Sequence, residues 1–344
     1  MHAGLCGTEL CSVLDPTGGL ERCVQLWAKE LAKYCRVTLI DLAEQKVDAA
    51  PQLSIKDVDY VVCGDIDKLP ELLLELKIDV VQLQNRPLVK TGLPTLVTFH
   101  NYPYAWSQNE NTDRELLRVA LHDRYITAVS AALLKESISL IGHGNIKNFL
   151  LSPPIAEEFF AEKHLGGNGL LFASRLMRKK GVEIAVNAVK MAGMTNKSTF
   201  LDTTTPFLKH SPEYLEMKKL ILDAGINLAP AVRGAQEMAK LYAAADAVLH
   251  ISLENEGLGL IPLEAQAVGA NVIAAGPGGL VETVLGPNLY FAEISPEKIA
   301  EGIFGFLTRP IPCRPPGIKE YDPVVSGKRL FIIMKTLFTQ QSKN

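Results

Sequence analysis

The sequence predicts an α/β protein of two domains, each built on a parallel sheet with helices on both faces. Three observations lead there. Short apolar runs alternate with amphipathic stretches along the chain, the pattern of strand and crossover helix. The alternation breaks at a Pro- and Gly-rich segment, Ser152-Pro153-Pro154 to Gly166-Gly167-Asn168-Gly169, and then restarts. A length of 344 residues also exceeds what one hydrophobic core ordinarily organises.

The first dozen residues, MHAGLCGTELCS, are weakly patterned, and Leu10 to Leu14 is the run that reads best as a first strand. Gly18-Gly19 then opens an amphipathic helix in which Leu20, Val24, Trp27, Leu31 and Tyr34 recur at intervals of four and three. A glycine turn at a helix start aims free N–H groups and the positive end of the macrodipole outward, which suits an anion. On its own such a turn is more often plain. Strand-like runs follow at Val37–Leu42, Val58–Cys63, Val80–Leu83, Thr95–His100 and Ile126–Val129, with helical character at Lys68–Lys77 and Asp113–His122. His100 closes a strand just before an aromatic loop, Tyr102-Pro103-Tyr104-Ala105-Trp106, and Ser130 starts the next helix.

The second half opens with a strand at Leu170–Ser174, then Arg175-Leu176-Met177-Arg178-Lys179-Lys180-Gly181, then a helix from Val182 to Met191. Basic residues at a strand mouth ahead of a helix suit a diphosphate, Arg by its planar fork and Lys by its compact charge. Arg178 and Lys179 read as surface. Phe200-Leu201-Asp202 ends the next strand, Tyr214–Leu222 is helical, Ile226–Val232 a short strand, and Gln236–Ala245 a helix. The apolar run Ala247–Ile251 then leads into an acidic, glycine-bearing loop, Glu254-Asn255-Glu256-Gly257-Leu258-Gly259. A helix follows, with Leu260, Leu263, Ala267 and Val268 on one face and Gly269 as its stop. Glu256 and Glu264 are placed to face one crevice at the carboxyl end of a parallel sheet, where open α/β sheets bind ligands. Ionised carboxylates only accept hydrogen bonds, so their natural partner is polyhydroxylated, a ribose or a hexose. Asn271–Ala275 reads as a strand, and Gly276-Pro277-Gly278-Gly279 as the opening of another helix. Ser295–Leu307 and Val325–Gln340 read as helices, the latter long enough to return to the first domain.

Composition excludes several classes. A net charge of −3 gives no footprint for nucleic acid. Residues 1–155 carry 15 Lys+Arg against 19 Asp+Glu, so charge does not point to an anionic membrane surface. No apolar run reaches membrane-spanning length, and the N-terminus lacks the pattern of a signal peptide. The six cysteines, Cys6, Cys11, Cys23, Cys35, Cys63 and Cys313, show no CxxC pairing and read as free thiols in a reducing, cytoplasmic setting. No His, Cys or carboxylate cluster has metal-ligand spacing.

Four pieces occur in one order: Gly18-Gly19-x-Glu, His100, Arg175-Leu-x-x-x-Lys180-Gly181, and Glu256-Gly-Leu-Gly-Leu with Glu264-Ala265 and Gly278-Gly279-Leu-Val-Glu282. Together they resemble the signatures of family-4 retaining glycosyltransferases. The resemblance implies the GT-B fold: two Rossmann-like domains facing an interdomain cleft, an acceptor-side domain over 1–155, a nucleotide-sugar domain over 156–320, and a C-terminal helix over 321–344 packing back. It implies a hexosyltransferase of carbohydrate biosynthesis that moves a sugar from a nucleoside diphosphate to a sugar, glycan or small-molecule acceptor. No cofactor or metal is expected. Arg175, Lys180, Gly18 and Gly19 would meet the diphosphate, and Gly257, Leu258 and Gly259 the donor. Glu264 would hold the ribose, Glu256 the sugar and its developing charge, and His100 the donor sugar. Three departures stand out. Pro153-Pro154 replaces an Asn-Gly turn at the linker, Thr203-Thr204-Thr205-Pro206 a glycine-rich turn after Asp202, and Pro230 falls where the family often has glycine. A catalytically silent sugar-nucleotide-binding or scaffold subunit and a GT-B epimerase are the alternatives. A phosphorylase would need a pyridoxal-phosphate lysine environment that the sequence does not display.

Overall fold

Nearly every apolar run between helices becomes a parallel strand in the computed structural model of the chain. The structure describes residues 1–7, 19–42, 55–102, 110–121, 124–141, 147–232, 234–307 and 314–341. The chain divides into two units, 1–155 with 320–344, and 156–319.

The first unit runs β1 (His2–Gly7), α1 (Gly19–Leu31), β2 (Arg36–Asp41), β3 (Val58–Val62), α2 (Leu69–Glu75), β4 (Val80–Gln84), β5 (Thr95–Phe99), α3 (Glu110–Leu121), β6 (Tyr125–Ala128), α4 (Ala131–Ile141) and β7 (Lys147–Leu150). Its seven strands lie in the order β3-β2-β1-β4-β5-β6-β7, all parallel. The sequence alone places the first strand at Leu10–Leu14. The structure places it at His2–Gly7, and residues 10–14 lie outside the described residues. β1 pairs with β2 on one side and β4 on the other, and all six of its residues are buried. A Cβ at Gly4 would lie 3.2 Å from Ile78 Cγ2, and Ala3, Gly4 and Cys6 carry little apolar signal. The one imidazole of β1 is satisfied, with His2 Nε2 2.8 Å from Thr38 Oγ1.

The second unit runs α5 (Glu157–Ala161), β8 (Leu170–Ser174), α6 (Val182–Met191), β9 (Ser198–Asp202), α7 (Pro212–Asp223), β10 (Asn227–Pro230), α8 (Ala235–Ala244), β11 (Ala247–Ile251), α9 (Leu260–Val268), β12 (Asn271–Ala275), β13 (Leu289–Phe291) and α10 (Pro296–Leu307). Its sheet, β10-β9-β8-β11-β12-β13, repeats the winding of the first and is likewise parallel. Leu170 and Phe172 of β8, Val182, Val186 and Val189 of α6, Leu249 of β11 and Ile299 and Ile303 of α10 share one core. Both sheets have the doubly wound order of Rossmann-like domains, with the switch between β1 and β4 in one and between β8 and β11 in the other.

The segment read as a linker is not a loose one. Ser152, Pro153 and Pro154 are buried, Pro154 O accepts from Cys23 Sγ, and the chain then forms α5. The final helix, α11 (Pro323–Gln341), belongs to the first unit and packs on α1. There Trp27 Nε1 donates to Ser326 Oγ at 2.7 Å, and Tyr34 stacks on Phe331 at 4.9 Å. Among the described residues no helix is long and apolar enough to cross a membrane.

Candidate functional site

Two loops leave the carboxyl ends of β8 and β11, the strands that flank the switch in the second sheet. The loop after β8 carries Arg175 to Gly181. It ends in a short 3-10 turn, Arg178–Lys180, and Gly181 then starts α6 with φ +68°. A Cβ at Gly181 would lie 2.3 Å from Ile251 Cγ2, so the loop passes over the end of β11 only because that residue is glycine. The two loops are also tied by backbone, Leu253 N–H donating to Lys179 O at 2.8 Å.

Lys180 and Glu256 meet as a hydrogen-bonded ion pair. Both side chains are mostly shielded, at 16% and 19% exposure, which makes this pair unlike the exposed Lys179–Glu254 pair beside it. Burial pushes the Glu256 carboxyl up, but the Lys180 ammonium, His250 and a hydrogen bond from Ser252 outweigh it and hold the carboxyl below the ordinary glutamate range. Arg175 is exposed, and its guanidinium has no ion-pair partner among the described residues. Arg178, left as surface in the sequence reading, is committed to Glu183 and Glu216.

The Glu256 loop is fixed from the far side by the glycine loop after β12. Glu256 N–H donates to Pro277 O at 3.2 Å, and Gly279 N–H donates to Glu256 O at 2.8 Å. This commitment explains why Gly276–Gly279 opens only a 3-10 turn, Gly279–Thr283, where the sequence suggests a helix. Leu258 is buried, and Gly259 precedes α9 at φ +99°, with a hypothetical Cβ 2.9 Å from Leu280 Cδ1. Glu264 lies inside α9, 3% exposed, and accepts from Tyr242 OH at 3.2 Å. Gln266, one turn face away, is wholly buried and clamps Pro262 O, Thr283 O and Leu285 N.

Sequence reasoning passed over His250. It sits within the otherwise apolar β11, 5% exposed, with Nε2 unpartnered among the described residues and directed toward Gly259. Burial pushes its pKa down to about 4, assisted by Lys180 and opposed by Glu256. A histidine interrupting Ala-Val-Leu-His-Ile was the available signal.

In the first unit, His100 follows β5 and is buried. Its Nε2 lies 2.8 Å from Gln84 Oε1, its backbone N–H donates to Asn85 Oδ1 at 2.7 Å, and its ring sits 5.7 Å from that of Trp27. Burial pushes its pKa down to about 3, so it is neutral at pH 7. Gly19 begins α1, while Gly18 and the loop after Tyr102 lie outside the described residues, as does Arg233 near β10. The structure therefore brings Arg175, Lys180, Glu256 and Gly257–Gly259 into one loop cluster, and gives Glu264 and His100 partners of their own.

The two Rossmann-like units, together with solved glycosyltransferases that match the chain, give the GT-B fold. Solved structures match it over almost the whole chain. A glycosyltransferase from Rickettsia africae superposes with a TM-score of 0.77 at 18% identity, covering 98% of each chain. The Anabaena protein HepE, solved with UDP-glucose, gives 0.67 at 17% identity over 100% of this chain and 98% of that one. Residues 155–314, nearly the whole of the second unit, match the family of glycosyl transferases group 1. The sequence is also similar to the D-inositol 3-phosphate glycosyltransferase of Pseudarthrobacter chlorophenolicus, 33% identical over 120 residues, which is 33% of this chain. The match spans 28% of that relative's length.

Proposed function

We propose that the chain is a family-4 type, retaining glycosyltransferase that takes a sugar from a nucleoside diphosphate. One observation carries the reading. The second unit, which matches glycosyl transferases group 1, holds an exposed arginine and a shielded Lys180–Glu256 pair on the two loops that flank its sheet switch. That is where a doubly wound sheet takes its ligand. Arg175 and Lys180 meet the diphosphate, whose charge grows as the bond to the anomeric carbon breaks; stabilising that charge needs no metal ion. Glu256, ionised at neutral pH, accepts hydrogen bonds from sugar hydroxyls and faces the developing positive centre. Gly257 to Gly259 let the donor approach the backbone, and Glu264 serves the ribose. The roles that the resemblance implies for His100 and the Gly18-Gly19 turn, toward the sugar and the diphosphate, belong to the same proposal.

In the reaction the anomeric C–O bond to the phosphate breaks. The acceptor oxygen bonds to the same face, and its proton passes to the departing phosphate, so the anomeric configuration is kept. The donor solved with HepE, UDP-glucose, makes a uridine donor the first to test. The acceptor is taken to be a sugar, glycan or small molecule, and the compartment the cytoplasm. Four described cysteines, Cys6, Cys23, Cys35 and Cys63, are free thiols, which fits a reducing setting. The test is release of free nucleoside diphosphate from UDP-, GDP-, dTDP- and ADP-glucose in EDTA, with the product anomer read by NMR. One donor should turn over with retention. No turnover of any, turnover only after magnesium or manganese is restored, or an inverted product would each refute a stated part.

A further inference from the structure

Thr203-Thr204-Thr205 stands after β9 where the resemblance leads one to expect glycines, and the structure gives the replacement a task. Asp202, at the end of β9, is buried and accepts from Thr204 N–H at 3.0 Å, Tyr214 OH at 2.9 Å and Lys209 Nζ at 2.8 Å. The hydroxyl of the same residue, Thr204 Oγ1, accepts from the backbone N–H of Leu176 at 2.8 Å. Leu176 is the residue after Arg175, and one planar peptide unit joins them. Fixing the Leu176 N–H therefore fixes the orientation of the plane that carries Arg175 Cα.

Two further ties complete the hold. The Leu176 side chain is fully buried in the core of the second unit, and Arg175 O accepts from Met177 N–H at 2.9 Å. The peptide that follows Arg175 is thus anchored at its carbonyl and at its N–H, while the Arg175 side chain is exposed. Asp202 is itself held rigidly charged. Burial pushes its carboxyl up, but Lys209, Thr204 and Tyr214 together bring it below the usual range, while burial and Asp202 push the Tyr214 phenol up to about 12.

We propose that Thr204 is a positioning residue for Arg175: through the Leu176 peptide it aims the guanidinium at the diphosphate of the donor. The proposal rests on the reading of Arg175 given above. Replacing the hydroxyl by a methyl leaves the Leu176 N–H buried and unpaired, so the peptide turns toward another acceptor and the base of the arginine turns with it.

The experiment is a double-mutant cycle read as release of nucleoside diphosphate, using whichever of UDP-, GDP-, dTDP- or ADP-glucose turns over. Thr204→Val should lower kcat and kcat/KM together by about 10-fold or more, the scale on which misplacement of a catalytic group acts. Thr204→Ser keeps the hydroxyl and should stay within about 2-fold of the parent. In an Arg175→Ala background, Thr204→Val should cost less than about 2-fold, because the group it aims is gone. A Thr204→Val chain with parental kcat, or one whose cost persists in full without Arg175, overturns the proposal. An Arg175→Ala chain with parental kcat, or no turnover of any donor, overturns the underlying reading and this proposal with it. Should Thr204→Val not fold, Thr204→Ala, which also removes the hydroxyl from the Leu176 N–H, takes its place in the same cycle with the same criteria.

Discussion

Lys180 and Glu256 are the residues on which the account turns, and they constrain each other before any donor arrives. Removing one partner of a shielded pair leaves the other charge uncompensated, which is worse than removing both. Lys180→Met should therefore lower the melting temperature, and adding Glu256→Gln should restore part of it; a double variant less stable than Lys180→Met would contradict the pairing. Function should separate the two glutamates. Glu256→Ala should spare binding of the free nucleoside diphosphate while depressing transfer, whereas Glu264→Ala should weaken nucleotide and donor alike. Calorimetry beside initial rates decides this, and equal loss of bare nucleotide in both would abolish the division of labour. His250 and His100 together shape the acid side of the stability profile. Their native pKa values, about 4 and about 3, lie below the unfolded value near 6.5. The unfolded chain therefore takes up a proton first, and stability that is full above about pH 6.5 erodes as pH falls toward 4. Glu256, also depressed, adds a loss that begins only below about pH 4.5. Melting temperature against pH should flatten in the upper window for His250→Asn and only in the lower one for Glu256→Gln. An unchanged upper slope in His250→Asn would rule out that assignment.

At the level of elements, the loops of the second unit depend on glycines that tolerate no side chain. Gly181→Ala places a Cβ on Ile251 in a left-handed backbone, and should cost about 1–3 kcal/mol and displace Lys180. In the first unit, α1 and α11 approach so closely at Gly327 that a Cβ there would meet Glu30 Cβ at 2.4 Å. Gly327→Ala should lower the melting temperature by forcing the helices apart, without altering nucleotide affinity; a variant as stable as the parent would place the packing elsewhere. The helices were legible because their periodicity survives in α1, α6 and α9, and β8, β11 and β12 because buried parallel strands are continuously apolar. β1 was not, since Ala3, Gly4 and Cys6 give it little of the bulky apolar signal that marks β8 and β11. α5 escaped because its five residues are too few to show a period. At the site, the placing of Arg175 and Lys180 after β8 and of Glu256 after β11 was legible from the order of strands and loops. The Asp202–Thr204–Leu176 connection was not, because it joins residues 28 apart in sequence through a hydroxyl whose partner is a backbone N–H.

For the whole molecule, the same six-strand winding occurs twice, and the restart at residue 170 announced it. What length and charge left open was the ligand, because neither composition nor topology selects among nucleotides. The central claim, a nucleoside diphosphate held by Arg175 and Lys180 in the second unit, is tested most directly by melting temperature in EDTA with UDP, GDP, dTDP and ADP, on the parent chain and on Arg175→Ala/Lys180→Ala. A ligand at about 100 times its dissociation constant stabilises the native state by roughly 2.7 kcal/mol. The account predicts that one nucleotide clearly raises the melting temperature of the parent and that the double variant loses most of that rise. No rise with any nucleotide, or a rise of equal size in the double variant, would contradict it.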